Sequence, residues 1–150
     1  MNHRASAVAA FLEGYNCAQA VAVAFSDLTG LDKDLSARMA SPFGGGMGRM
    51  REVCGAVSGM LLVAGILYGY DDPKATTAKR ELYAQVQEMA TSFREENGSI
   101  ICRDLLKNPP TDPTPSPRTT AYYSDRPCAR MVETAARILD DYIETHPINP

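Results

Sequence analysis

Apolar residues recur three and four positions apart over most of the chain, and nowhere do they alternate long enough to make a strand. Asn2 to Leu12 reads as a short alanine-rich helix ended by Gly14. Asn16 is a good N-cap for a second helix, Cys17 to about Leu28, with Cys17, Val21, Ala24, Phe25 and Leu28 facing inward. Asp32 or Asp34 caps a third helix carrying Leu35 and Met39, which Pro42 stops. The central helix is Cys54 to Tyr70, where Gly55 and Gly59 lie on one face with Ser58 beside them, a groove for close packing. Gly69 ends it, and Asp72-Pro73 starts the next helix, Lys74 to Asn97, with a stripe of Ala75, Ala78, Leu82, Val86, Met89 and Phe93. After Gly98, Ser99 caps a short helix holding Cys102, Leu105 and Leu106. Lys107 to Arg118 contains five prolines and reads as a loop or wrapping segment. Asp125 and Pro127 start a last helix with Cys128, Met131 (or Val132), Ala135, Ile138 and Tyr142 inward. The expectation is one all-α domain over residues 1–150, a compact helical bundle around a glycine-containing apolar helix.

Composition narrows the function classes. The 150 residues are 45% apolar and 22% charged, ordinary for a soluble globular chain large enough to bury a core. The net charge is −3 and the basic residues are scattered, which argues against nucleic-acid binding. Val53 to Tyr70 is uncharged but contains four glycines and a serine, so it reads as a buried core helix rather than a membrane span. Ala5 to Leu12 is too short for an export signal, and Gly14 to Asn16 lacks the apolar run expected before a lipidated cysteine. The expected location is cytoplasmic, away from membranes.

Four cysteines in such a chain point to redox chemistry or metal binding rather than a disulfide framework. Each falls in the first turn of a predicted helix and on its apolar stripe. There the helix dipole favours a thiolate. Arg49, Arg51, Arg103, Arg126 and Arg130 are close to them in sequence. Cys54 looks best placed as nucleophile, because a glycine-rich loop and two arginines precede it. That loop, with Gly44, Gly45, Gly46, Gly48 and Arg49, is the candidate cradle for a cofactor or anion. It lacks the lysine of a phosphate-binding P-loop, so nucleotide binding is disfavoured. No C-x-x-C and no C-x-x-C-H occurs, which disfavours thioredoxin-type exchange, zinc ribbons and covalent haem. His3 and His146 lie near the termini, where a solvated role is expected and a Cys-His pair is not.

The ordered blocks resemble the redox-active C_GCAxxG_C_C family. The C-G-A-x-x-G motif is Cys54-Gly55-Ala56-Val57-Ser58-Gly59, and the first cysteine lies in Gly14-Tyr15-Asn16-Cys17-Ala18-Gln19-Ala20. Phe43 to Arg49 is similar to the family's glycine loop, Gly98 to Leu106 to its third block, and Cys128 supplies the fourth cysteine. The resemblance covers about Phe11 to Ala136 and implies a small soluble protein, redox-active through its cysteines. Two chemical readings follow. One is a thiol–disulfide oxidoreductase with a redox partner, in which Cys54 attacks and one of Cys17, Cys102 or Cys128 resolves. The other is a metal protein with Cys17, Cys54, Cys102 and Cys128 as ligands to zinc or an iron–sulfur cluster. In the non-chemical alternative the cysteines only fill the core. Either chemical reading expects at least three of the four to share one site. The apolar surface of helix Lys74–Asn97 and the Gly55–Gly59 groove suggest a homodimer.

Overall fold

The computed structural model describes residues 2–148, and these form an all-α fold. Helix α1 (His3–Glu13) begins at Asn2, whose side chain accepts from the Ala5 amide, and ends at Gly14 with φ 115°. Helix α2 (Cys17–Ala24) begins in a reciprocal capping box between Asn16 and Gln19. It stops before the expected Leu28, because Phe25 leaves helical geometry and buries its ring, so α3 (Ser26–Thr29) is a separate turn. Helix α4 (Lys33–Ala40) is capped by Asp32. Its buried residues are Ser36 and Ala40, whereas Leu35 and Met39 are exposed, so the small-residue face packs inward.

The 3₁₀ turn Ser41–Phe43 leads into α5 (Gly44–Met47), a single turn that runs left-handed. Helix α6 (Gly55–Tyr68) starts one residue later than expected, with Cys54 at its N-cap. Helix α7 (Thr76–Asn97) also starts later, because Asp72 holds the amides of Lys74 and Ala75 in a turn at Pro73. The first half of α7 stands off the bundle. Ala78 is exposed, Leu82 and Val86 are half-buried, and only Met89, Ala90 and Phe93 are buried. Helix α8 (Cys102–Leu106) has Ile101, not Ser99, at its N-cap; the Ser99 hydroxyl accepts from the Ile101 amide and donates to Asp104. Residues 107–118 hold no helix, as expected, but α9 (Thr120–Asp125), capped by Thr119, was not anticipated. Helix α10 (Cys128–Thr145) buries Cys128, Met131, Val132, Ala135, Ile138 and Tyr142.

Helix α6 is the axis of the bundle and contacts α2, α7 and α10. Its glycines make the closest of these contacts. A Cβ on Gly59 would sit 2.6 Å from the Ala18 carbonyl oxygen and 3.1 Å from the Ala18 Cα, so α2 and α6 touch backbone to backbone. Phe11, Phe25, Met60, Phe93 and Leu139 fill the core around them. His3 is buried rather than solvated. Its Nδ1 lies 2.6 Å from Asp140, its Nε2 3.0 Å from Asp27, and its ring stacks on Phe25 at 4.1 Å. The imidazole thus ties α1 to α3 and α10 near the amino end. No helix among the described residues is long and apolar enough to cross a membrane.

Candidate functional site

The glycine loop is built from a conformation that L-residues avoid. Five consecutive residues, Gly45 to Arg49, have positive φ, and Arg51 follows at 63°. The turn closes with hydrogen bonds from the amides of Arg49, Arg51 and Glu52 to the carbonyls of Gly44, Gly45 and Gly46. Each L-residue in such a left-handed turn costs about 1–2 kcal/mol, and glycine at three of the five positions removes most of that cost. The missing side chains also allow close approach. A Cβ on Gly46 would lie 2.8 Å from the Cβ of Cys102, and one on Gly44 would overlap the Asn16 side chain.

Two further contacts gather the cysteines. Val53 and Ile101 form an isolated antiparallel bridge; the Cys54 amide donates to the Ile100 carbonyl (2.7 Å) and the Cys102 amide to the Glu52 carbonyl (2.7 Å). Those bonds hold the starts of α6 and α8 together. Gly55 then sets α6 against α2, since its Cβ would be 3.2 Å from the Cβ of Cys17.

The result is a cavity of about 390 Å³ bordered by Cys17, Cys54, Cys102 and Cys128. Gly44, Gly45, Gly46, Gly48 and Arg49 lie on the same wall. All four sulfurs are free thiols. Cys17, Cys102 and Cys128 occupy first-turn positions and Cys54 an N-cap. Arg49, Arg51, Arg118 and Arg126 also border it, with Asn16, Tyr122 and several apolar and proline side chains, and no Asp or Glu among the described residues joins them. Arg103 and Arg130, close to cysteines in sequence, are exposed elsewhere, Arg103 on Glu52 at 2.9 Å.

The thiols are not equivalent. Cys17 and Cys128 border the cavity together, and a bond from the Cys17 thiol becomes available to Cys128 when Cys128 ionises. That bond, aided by Arg126, Arg118 and Arg51 against the cost of burial, lowers the Cys128 thiol to about 7. The same bond, with burial, holds Cys17 well above the ordinary thiol value. Cys54 departs from the sequence expectation. The amides of Ala56 and Val57 favour its thiolate, but burial outweighs them and pushes it up to about 12. The two arginines expected to activate it point elsewhere: Arg49 donates to Asp112 and Ser116, and Arg51 to Pro110 and Cys102. Cys102 is raised by burial, which the hydrogen bond from Arg51 only partly offsets.

The proline-rich segment forms the outer wall. Arg49 Nε reaches the Asp112 carbonyl (2.8 Å), Arg51 Nε the Pro110 carbonyl (2.9 Å), and Arg126 the Ser116 hydroxyl (3.2 Å). Arg118 anchors the far end of the segment. It donates to the carbonyls of Phe11, Gly14 and Tyr15 at the end of α1, and its guanidinium lies over the rings of Phe11 and Tyr122. Sequence reading did not single out Arg118, Tyr122 or Asn16 as lining residues. The one local signal was an arginine closing a proline run, since the partners of Arg118 are about a hundred residues away.

A zinc ion or iron–sulfur cluster needs three or four thiolates converging on one point. Among the described residues, no three His, Cys, Asp or Glu side chains converge in that way. The cysteines share a cavity, but as arranged they do not fit such a centre.

A four-cysteine helical bundle with its thiols on one cavity defines a class of candidate redox protein, and comparison with known families agrees. The family described as "Putative redox-active protein (C_GCAxxG_C_C)" matches residues 15–142, and the chain belongs to it. No curated protein and no solved structure matches the chain.

Proposed function

We propose that the protein carries out thiol–disulfide exchange with a Cys17–Cys128 pair. What supports this reading above all is that Cys128 shares one cavity with Cys17, Arg51, Arg118 and Arg126, a setting that favours its thiolate and brings it down to about 7. A thiol poised near ambient pH is the best attacking group, because it is substantially ionised yet still nucleophilic. In the exchange, the Cys128 thiolate attacks one sulfur of a substrate disulfide. A bond from Cys128 Sγ to that sulfur forms, and the sulfur–sulfur bond of the substrate breaks. The departing thiolate takes the proton of Cys17 and leaves as a thiol. The Cys17 thiolate then attacks Cys128 Sγ and releases the second substrate thiolate. The substrate gains two electrons, and the protein ends with a Cys17–Cys128 disulfide that a dithiol donor reduces. Cys54 and Cys102, both raised by burial, are reserve thiols rather than nucleophiles.

The experiment is disulfide mapping. Reduced protein receives one equivalent of a small disulfide, is quenched in acid, and is digested for mass spectrometry. The expected product is the Cys17–Cys128 peptide pair, with a Cys128 mixed disulfide accumulating in Cys17→Ala. A different pairing, or one tightly held metal per chain that blocks all four thiols, would overturn the reading.

A further inference from the structure

Arg51 is 3% exposed and lines the thiol cavity, yet its guanidinium is only partly used. Nε donates to the Pro110 carbonyl and Nη1 to Cys102 Sγ at 3.7 Å, but Nη2 has no hydrogen-bond partner. A buried cation with an unused donor is costly, because the group gave up water without replacing it. Charge is also unbalanced on a larger scale. Among the described residues, Arg51, Arg118 and Arg126 form no ion pair with a carboxylate, and none borders the cavity. Arg49 alone has one nearby, the exposed Asp112 at 3.9 Å.

We infer that the cavity takes a small anionic substrate, a molecule bearing a carboxylate or similar oxyanion that pairs with the Arg51 guanidinium while its sulfur lies within reach of Cys128. This deepens the exchange reading and rests on it for the identity of the reacting group. The anion itself is called for by the unpartnered guanidinium. A volume of about 390 Å³ suits a metabolite-sized guest rather than a protein loop. Guanidinium is also the side chain best shaped to hold a carboxylate. Arg118, which donates to the carbonyls of Phe11, Gly14 and Tyr15 and to the Tyr123 hydroxyl, and Arg126, which gives one bond to Ser116, add positive field around the guest.

The test separates charge from chemistry with three small disulfides. They are 3,3′-dithiodipropionate (anionic), bis(2-hydroxyethyl) disulfide (neutral) and cystamine (cationic). Single-turnover rates with the reduced protein are each normalised to the rate with free dithiothreitol. The anionic probe is expected to be favoured over the neutral one by about tenfold or more, the scale of one charge-assisted hydrogen bond, with cystamine slowest. In Arg51→Gln that preference should fall towards unity, and Arg51→Lys should restore part of it. If either variant fails to fold by circular dichroism, the charge series on the unaltered protein decides. Calorimetric titration of Cys128→Ser with 3,3′-dithiodipropionate reads binding without reaction. Binding there, with no turnover of any probe by the unaltered protein, keeps the anion site and removes the exchange chemistry. Equal normalised rates for all three probes, with no binding, removes the anion site and leaves exchange standing.

Discussion

Replacing Cys17 with alanine removes the proton that it shares with Cys128. That hydrogen bond is the largest influence bringing Cys128 from the ordinary thiol value of 9.0 down to about 7; burial opposes it and the arginines assist more weakly. Without the donor, the pKa should return towards 9.0. At pH 7 a thiol of pKa about 7 is about half ionised and one of pKa about 9 about 1% ionised, a loss of about 50-fold in thiolate. The more basic thiolate is intrinsically more reactive, which offsets about 6- to 10-fold at a Brønsted coefficient of about 0.4–0.5. The net slowing at pH 7 is thus only about five- to eightfold, whereas the midpoint of the pH profile moves by up to about two units. The midpoint is the sharper readout. It is obtained by iodoacetamide labelling from pH 5 to 10, with the Cys128 peptide quantified by mass spectrometry. Cys17→Ser should restore part of the shift, because a hydroxyl can also donate. A Cys128 midpoint at the ordinary thiol value in the unaltered protein, or one that stays put in Cys17→Ala, would refute the reasoning. So would Cys54 titrating below Cys128.

Gly59→Leu should lower stability by about 1–3 kcal/mol or more, since the new side chain meets the Ala18 backbone. Gly65→Ala in the same helix, where a Cβ meets nothing within 4 Å, should instead raise it by about 0.5–1 kcal/mol; denaturant midpoints that move in the same direction would contradict the packing argument. His3→Ala should cost roughly 1.5–3 kcal/mol, because it strips Asp27 and Asp140 of their shared partner. A thermal melt unchanged by this substitution would mean that the amino end is not held by the imidazole. Burial raises the Cys54 thiol from 9.0 to about 12, so its contribution is intact below pH 9 and is lost as pH rises towards 12. The loss is on the order of 4 kcal/mol by pH 12. Unfolding titrations of Cys54→Ala should show a shallower alkaline decline, and an identical slope would rule out this origin.

Local signals carried most of the fold. Asn16 announced the start of α2, Gly14 and Gly98 the ends of α1 and α7, and Gly55 and Gly59 the face of α6 that meets α2. These are short-range facts of capping and steric volume, so the sequence displays them directly. The four cysteines could likewise be placed at helix starts. What sequence could not display was which way neighbouring arginines point. Arg103 and Arg130 turn outward, whereas Arg118 enters from a proline-rich run because the end of α1 offers it three carbonyls. The raised Cys54 thiol has a related origin. Dipole and arginines were legible, but the depth of burial that overrides them is a property of the assembled bundle. His3 shows the same limit, since its two carboxylate partners lie 24 and 137 residues away.

The arginines of the glycine loop hold the outer wall by two main-chain oxygens, those of Pro110 and Asp112, and by the side chains of Asp112 and Ser116. Such a grip follows the path of the chain, and apart from Asp112, whose carboxylate faces Arg49 and accepts from the Thr114 amide, it is indifferent to what residues 111–114 display. The outer wall is therefore the part of this protein that tolerates rewriting. Side chains there can be exchanged, and with them the shape offered to a guest, while the bundle and the thiols stay as they are. A library randomised over positions 111, 113 and 114, with Asp112 kept, is the economical route to altered substrate preference on an unchanged reactive pair.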